Sequence, residues 1–141
     1  MTDQGPITGG CLCGAVRYRA SGEPITSRAC WCRDCQYIAA GSATLNVMFR
    51  ADEVTIEGEP ADFVSVAESG NRMHRRFCPA CGVHLFSAGE ARPDLVIVRI
   101  GTLDDPDRIA PVASIWTRSA PRWACIDQRL PMFEGPPPPV G

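Results

Sequence analysis

The sequence lacks any hydrophobic run that could cross a membrane. Its longest apolar run covers residues 95–98 and ends at Arg99, whereas a membrane-spanning helix needs about 20 apolar residues. The first ten residues also lack the basic start and apolar core of a secretion signal. We therefore expect a soluble, cytoplasmic protein with no membrane partner, in a compartment where thiols stay reduced.

A strong charge bias is absent as well. The formal net charge is −2 over 141 residues, which differs from the basic character of nucleic-acid-binding domains and predicts no nucleic-acid partner. A chain of this length normally forms one domain that buries about two-thirds of its unfolded surface. We expect this domain to span residues 1–134 and to be followed by a flexible proline-rich tail over residues 135–141.

Long amphipathic helices are missing, and the sequence instead contains short apolar segments between turn residues. This pattern is typical of a mainly β fold with little helix. Residues 58–60 and 69–71 predict hairpin connections, and residues 34–40 predict a short helix. The candidate strands cover residues 15–21, 44–49, 54–57, 63–66, 72–77, 83–86 and 95–100.

Cysteine, in contrast, is abundant, with eight among 141 residues. Cysteines close in sequence make poor disulfide partners, because a disulfide has narrow limits on distance and angle. Metal binding is the easier use, and soft thiolates favour zinc, with an iron–sulfur cluster as the alternative. Seven of the cysteines form the motifs Cys11-x-Cys13, Cys30-x-Cys32-x-x-Cys35 and Cys78-x-x-Cys81.

Two of these motifs supply two sulfurs each. Cys11 and Cys13 would face the same side of an extended strand, and Cys78 and Cys81 flank a Pro-Ala turn. The two pairs together complete a tetrahedral zinc site, which would fasten the start of the chain to its middle and contribute to folding. We call these residues the four-cysteine cluster and predict a structural role for them.

The third motif supplies Cys30, Cys32 and Cys35, which we call the three-cysteine cluster. Its spacing lets one irregular turn wrap three sulfurs around a single ion. Three protein ligands leave one coordination position for water or a substrate atom, as in catalytic zinc sites. We therefore predict two zinc ions per chain and assign the catalytic one to this cluster.

Three further residues could act as ligands. Cys125 is the remaining thiol, but its apolar neighbours predict a small buried hydrophobic residue. His84 lies in a strand pattern, which favours a half-exposed or hydrogen-bonded role over ligation. His74 lies among three arginines, so we expect it beside an anion.

The motifs occur in an order that resembles the glutathione-dependent formaldehyde-activating enzyme (GFA) family. The resemblance implies a β-tent fold of antiparallel sheets with two zinc sites, divided as above into structural and catalytic. It also implies a carbon–sulfur lyase activity that joins glutathione to formaldehyde, giving S-hydroxymethylglutathione. Trp31 and Ser114 stand where relatives often have histidine. The segments that carry the resemblance are residues 9–18, 30–36, 77–86, 115–119 and 130–134.

A site for glutathione, which carries two carboxylates, should offer arginine side chains. Arg33 is the nearest in sequence to the three-cysteine cluster. Trp31 and Trp116 are candidates for the walls of the pocket, although tryptophans commonly belong to the core. The other candidate arginines are Arg72, Arg75 and Arg76.

A different class of function is compatible with the same motifs. In this alternative both ions are structural, and the β surface binds a protein partner. A fourth protein ligand at the three-cysteine cluster would favour it, since a closed coordination shell leaves no room for substrate.

Overall fold

The computed structural model describes residues 5–141 and has a mainly β architecture. Residues 1–4, part of the segment in which we found no secretion signal, lie outside the described residues. Single turns of 3-10 helix cover Ala51–Glu53, Ile100–Thr102 and Thr117–Ser119. The regular elements are β1 Ile7–Gly10, β2 Arg17–Ala20, β3 Thr26–Cys30, α1 Arg33–Ile38, β4 Thr44–Arg50, β5 Val54–Glu57, β6 Ala61–Val66, β7 Arg72–Phe77, β8 His84–Gly89, β9 Leu95–Arg99 and β10 Ser114–Ile115.

The strands form two sheets that pack against each other. The smaller sheet has the order β1-β2-β5, and the larger has the order β10-β3-β4-β9-β8-β7-β6. All neighbouring strands are antiparallel except β10, which pairs with β3 in parallel. The ring of Tyr18 in β2 meets the ring of Phe86 in β8 edge to face, with centroids 5.4 Å apart, so the core lies between the two sheets.

Alternation along the strands sorts apolar from polar side chains. Val47 and Phe49 in β4 are fully buried and join Val98 of β9 in the core between the sheets. Asn46, next to Val47, points to the other face, because successive side chains of a strand alternate. Asn46 pairs in register with Arg99 of β9. The outer face of the large sheet therefore carries polar groups.

A bulge interrupts the pairing of β7 and β8. Arg76 pairs with Phe86 and Phe77 pairs with His84, so Leu85 has no partner residue in β7. Leu85 and Phe86 are both fully buried in the core. An extra residue changes the direction of the neighbouring side chains, and His84 accordingly lies on the outer face, together with Arg99.

The predicted mainly β fold is confirmed, as are most of the predicted strands. The predicted ranges 54–57 and 72–77 coincide with β5 and β7, and the predicted helix corresponds to α1. The strands β1, β3 and β10 were not predicted. The hairpin predicted at residues 58–60 is wrong, because β5 pairs with β2 and β6 pairs with β7, so this turn joins the two sheets. No helix within residues 5–141 has the length and apolar character that crossing a membrane requires.

The proline-rich segment lies against the large sheet. Residues 136–140 line a cavity of about 320 Å³ together with Met48 of β4 and Ile97 of β9. Arg92 donates to the carbonyl oxygen of Val140 at 3.0 Å. The division into a domain over residues 1–134 and a flexible tail stays a prediction.

Candidate metal centres

The four-cysteine cluster forms where two hairpin turns meet. Cys11 and Cys13 lie in the turn between β1 and β2, and Cys78 and Cys81 lie in the turn between β7 and β8. The Sγ atom of Cys13 is 3.7 Å from that of Cys11 and 3.7 Å from that of Cys78. All four sulfurs lie within 4.8 Å of one another, which is the spacing that a shared metal ion requires.

Backbone hydrogen bonds shape both turns around the sulfurs. The N–H of Val16 donates to the sulfur of Cys11 at 3.3 Å, and the N–H of Cys81 donates to the sulfur of Cys78 at 3.5 Å. Gly82 follows in the left-handed region, at φ 78°, where glycine is favoured. The expectation that Cys11 and Cys13 lie in a strand is wrong, because a tight turn, not strand alternation, brings their sulfurs together.

The thiols of the four-cysteine cluster differ in pKa. The Val16 amide is the largest influence on Cys11 and lowers the pKa of its thiol to about 6. The Ala15 amide lowers the pKa of Cys13, but the sulfurs of Cys11 and Cys78 outweigh it and raise the pKa to about 11. A divalent cation would offset this mutual repulsion, so the donor set fits a metal.

The three-cysteine cluster lies at the junction of β3 and α1. Cys30 ends β3, Cys32 caps α1, and Cys35 lies in the first turn of this helix. The N–H of Cys35 donates to the sulfur of Cys32 at 3.4 Å. The three sulfurs lie within 4.8 Å of one another and all three residues are buried, so the helix start that follows the strand gathers them.

Hydrogen bonds among the three thiols make the ionisation of this cluster strongly uneven. Hydrogen bonds from Cys30 and Cys32 lower the pKa of Cys35 to about 2, and the positive charge of Arg99 contributes to the same shift. The neighbouring thiols Cys32 and Cys35, together with burial, raise the pKa of Cys30. A buried site of this kind holds one thiolate readily, and a cation is needed to hold three.

No fourth ligand joins the three-cysteine cluster among the histidine, cysteine and acidic residues of the described chain. Cys125 is exposed, so the prediction of a buried thiol is wrong. The apolar stretch around Cys125 forms no regular element, and Trp123 is 73% exposed. Cys125 instead lines a cavity of about 560 Å³ with Trp31 and Ser114.

Trp116 packs directly against the three-cysteine cluster. Its backbone is left-handed, at φ 57°, which costs a non-glycine residue about 1–2 kcal/mol. Its N–H donates to the carbonyl oxygen of Gly135 at 3.1 Å, and the guanidinium of Arg118 lies 4.9 Å from its ring centroid. The amide of Gln36 in α1 also donates to the carbonyl oxygen of Ser119, at 2.9 Å. These contacts fix the C-terminal segment beside the cluster.

The candidate arginines differ in how free they are. Arg33 is exposed, donates to Gln36 at 2.5 Å and lies over the ring of Tyr37. Arg75 is buried, donates to Ser65 at 2.9 Å and lies 3.5 Å from Asp34. Arg72 pairs with Glu90, and Arg76 lines a separate cavity with His74. Arg33 is therefore an exposed cation in the helix that carries Cys35, and substrate contact by any of these arginines stays a prediction.

The two histidines have different surroundings. His74 lies between two carboxylates, with Nδ1 2.6 Å from Asp62 and Nε2 2.7 Å from Glu90, and these hydrogen bonds raise its pKa. The predicted anionic neighbour is thus present. His84 is half-buried and stacks on Phe77, and its buried Nδ1 has no hydrogen-bond partner.

Burial, followed by the positive charges of Arg99 and Arg75, lowers the pKa of His84. Arg99 is itself buried, and its Nη1 donates to Oδ1 of Asn46 at 2.5 Å. Sequence reasoning missed Arg99 as part of the site, although its place at the end of an apolar run was a signal. A charged residue in that position must find a buried partner.

Two packed β sheets with a pair of cysteine clusters define the class, a small β protein built around candidate metal ligands. The sequence model of the glutathione-dependent formaldehyde-activating enzyme family matches residues 6–119. The chain belongs to this family, as the resemblance of its motifs indicated.

The known proteins that are similar to the chain include one matched by sequence and one matched by structure. A Halomonas elongata protein, whose name assigns it to the same family, is 28% identical over 133 residues, which cover 87% of this chain and 82% of that protein. A crystal structure of a Rhodobacter sphaeroides protein matches with a TM-score of 0.54 at 19% identity and covers 74% of this chain and 91% of that one. The second likeness concerns the fold alone.

Proposed function

We propose that the protein is a zinc-dependent carbon–sulfur lyase-like enzyme that acts on the adduct of a small thiol and an aldehyde. In the synthetic direction the sulfur of glutathione adds to the carbon of formaldehyde, and the thiol proton ends on the former carbonyl oxygen as a hydroxyl. The observation that carries the proposal is the gathering of three buried thiols, without a fourth ligand among residues 5–141. The expected setting is a reducing cytosol.

The chain supports this chemistry with two unequal cysteine groups. The four-cysteine cluster would hold a structural zinc ion, because four sulfurs complete its coordination shell. Cys30, Cys32 and Cys35 would hold the catalytic one. When bound there, zinc supplies a positive charge that favours the thiolate form of an incoming thiol.

The residues around the three-cysteine cluster have separate tasks. Trp116 packs against Cys30, Cys32 and Cys35 and limits the access of water. Arg33 follows Cys32 directly at the start of α1 and presents an exposed guanidinium. We assign it to one carboxylate of the thiol substrate, since the fork of arginine matches carboxylate geometry.

The test combines metal analysis with an exchange measurement. The purified protein should contain two zinc ions per chain and should accelerate the NMR-detected exchange between glutathione with formaldehyde and their adduct. Cys32→Ala should lose one ion and the acceleration, whereas the matched control Cys125→Ala should keep both. If the wild type exchanges the adduct no faster than buffer does, the enzymatic proposal fails.

The alternative, a non-catalytic zinc module that binds a protein partner, has less support. It would be favoured by a closed shell at the three-cysteine cluster, and Cys125 lies outside that group. Two bound zinc ions without any exchange activity would nevertheless favour this alternative.

A further inference from the structure

A row of three polar side chains connects β9 and β4 to the three-cysteine cluster. Arg99 and Thr44 are both buried, and Asn46 lies between them and is partly buried. Asn46 is the register partner of Arg99, and Thr44 is the register partner of Cys30. All three side chains belong to the outer face of the large sheet, the face that also carries Cys30.

The hydrogen bonds along this row have a defined direction. A guanidinium can only donate, so Oδ1 of Asn46 accepts from Nη1 of Arg99, at 2.5 Å. This fixes the orientation of the amide, and Nδ2 of Asn46 then donates to Oγ1 of Thr44 at 3.0 Å. Because Oγ1 already accepts this bond, the single hydroxyl proton of Thr44 is left to be donated elsewhere.

The sulfurs of the three-cysteine cluster lie on the same side of the sheet as this hydroxyl, because Thr44 pairs with Cys30 and the sulfur of Cys35 lies within 4.8 Å of that of Cys30. Helix α1, which carries Cys35, packs on β4, which carries Thr44. The thiols of Cys30 and Cys32 and then this hydroxyl lower the pKa of Cys35. The row therefore begins at a buried positive charge and ends at a hydroxyl beside the sulfurs that we assign to the metal.

We propose that Arg99, Asn46 and Thr44 act as positioning residues that direct one hydrogen bond to the sulfur of Cys35 and thereby tighten metal binding at the three-cysteine cluster. The proposal rests on the proposed function, since it assumes that this cluster binds zinc. Groups that hydrogen-bond to metal ligands fix their orientation, and their loss commonly lowers metal affinity about 10–100-fold. Arg99 acts on the cluster indirectly, through its positive charge and through its hydrogen bond to Asn46.

The decisive comparison is Thr44→Val against Thr44→Ser. Valine keeps the branched shape of threonine but has no hydroxyl, whereas serine keeps the hydroxyl and loses a methyl group. Zinc affinity is measured for both ions of each protein by competition with a chromogenic chelator. We expect Thr44→Val to lose about tenfold in zinc affinity at the three-cysteine cluster. The affinity of Thr44→Ser should remain within about twofold of that of the wild type.

A second variant tests whether the direction of the hydrogen bonds in this row matters, independently of packing. In Asn46→Asp the carboxylate still accepts from Arg99 but cannot donate to Thr44, so the hydroxyl turns towards the carboxylate and away from Cys35. We expect the variant to fold and to lose affinity at the same site, although an added negative charge alone would strengthen cation binding. The control is Ser27→Ala, which removes a buried hydroxyl that bonds the carbonyl oxygen of Ala110 at 2.6 Å and should leave both affinities unchanged.

Cobalt(II) gives an independent spectroscopic measure. The sulfur-to-cobalt charge-transfer band of the three-sulfur site should shift in Thr44→Val and return in Thr44→Ser. The wild type could bind two ions while Thr44→Val shows an unchanged zinc affinity and an unchanged cobalt band. This result would overturn the role of Arg99, Asn46 and Thr44 but leave the metal site in place. A wild-type protein that binds only one ion at the four-cysteine cluster would overturn this role and the proposed metal site together.

Discussion

Replacement of Cys81 by serine should lower the free energy of unfolding much more than replacement of Cys32 by serine does. Cys81 belongs to the four-cysteine cluster, in which Cys13 and Cys78 are 65 positions apart in sequence. A metal ion that joins them closes a long loop, and the chain-entropy relation assigns such a cross-link about 4 kcal/mol. The three-cysteine cluster closes only the short segment from Cys30 to Cys35, for which the same relation gives about 2 kcal/mol.

The difference should be visible in both heat and urea. For a chain of this size 1 kcal/mol corresponds to about 4 °C in Tm, so Cys81→Ser should lower Tm by about 15 °C and Cys32→Ser by no more than half of this. Urea unfolding followed by circular dichroism gives the free energies, and native mass spectrometry counts the zinc ions in the same samples. Each variant should lose one ion.

The matched control is Cys125→Ser, at an exposed thiol outside both clusters, which should change neither the stability nor the zinc content. The reasoning would be refuted if Cys81→Ser lost its ion without losing stability, or if Cys32→Ser were destabilised to the same extent. Either result would mean that loop closure is not what the four-cysteine cluster contributes.

Three further outcomes follow from the structure. The two carboxylate partners of His74 raise its pKa in the folded protein above the unfolded value of 6.5. The stability that the protonated imidazole contributes is therefore complete below pH 6.5 and is lost as the pH rises through the folded pKa. His74→Gln should accordingly lower the free energy of unfolding more at pH 5.5 than at pH 9. Gly9→Ala places a Cβ 2.2 Å from a backbone oxygen and 2.3 Å from the Tyr18 hydroxyl and should cost about 1–3 kcal/mol in urea unfolding, whereas Gly101→Ala, with open space around it, should cost less than 1. Deletion of residues 136–141 should leave the zinc content unchanged and increase hydrogen exchange in β9, and a loss of either ion would contradict the expected domain boundary.

A strand whose apolar and polar residues alternate could be predicted from the sequence. Strands that form only because a neighbouring strand pairs with them could not. Residues 54–57 alternate between half-buried and exposed positions, so local sequence was sufficient. The strand β1 contains Gly9 and Gly10, which no propensity assigns to a strand, and it forms because β2 pairs with it. The strand β10 has only two residues and depends on β3 and on Met132.

The candidate site divides in the same way. The spacing of Cys30, Cys32 and Cys35 predicted their grouping, since one helix start gathers them. The place of Arg99 beside this cluster could not be predicted, because it depends on the pairing of β4 with β9, which are far apart in sequence. Cys125 was misassigned because apolar neighbours indicate burial only when a regular element carries them inward.

The unpaired Leu85 sets a counting rule for anyone who redesigns this hairpin. With Leu85 removed, His84 would still lie opposite Phe77 and Phe86 opposite Arg76, so ordinary alternation would keep the imidazole outside and the Phe86 ring inside. The interior would lose one fully buried side chain. A transplanted β8 must therefore keep its supernumerary residue, or a cavity would open between the two sheets.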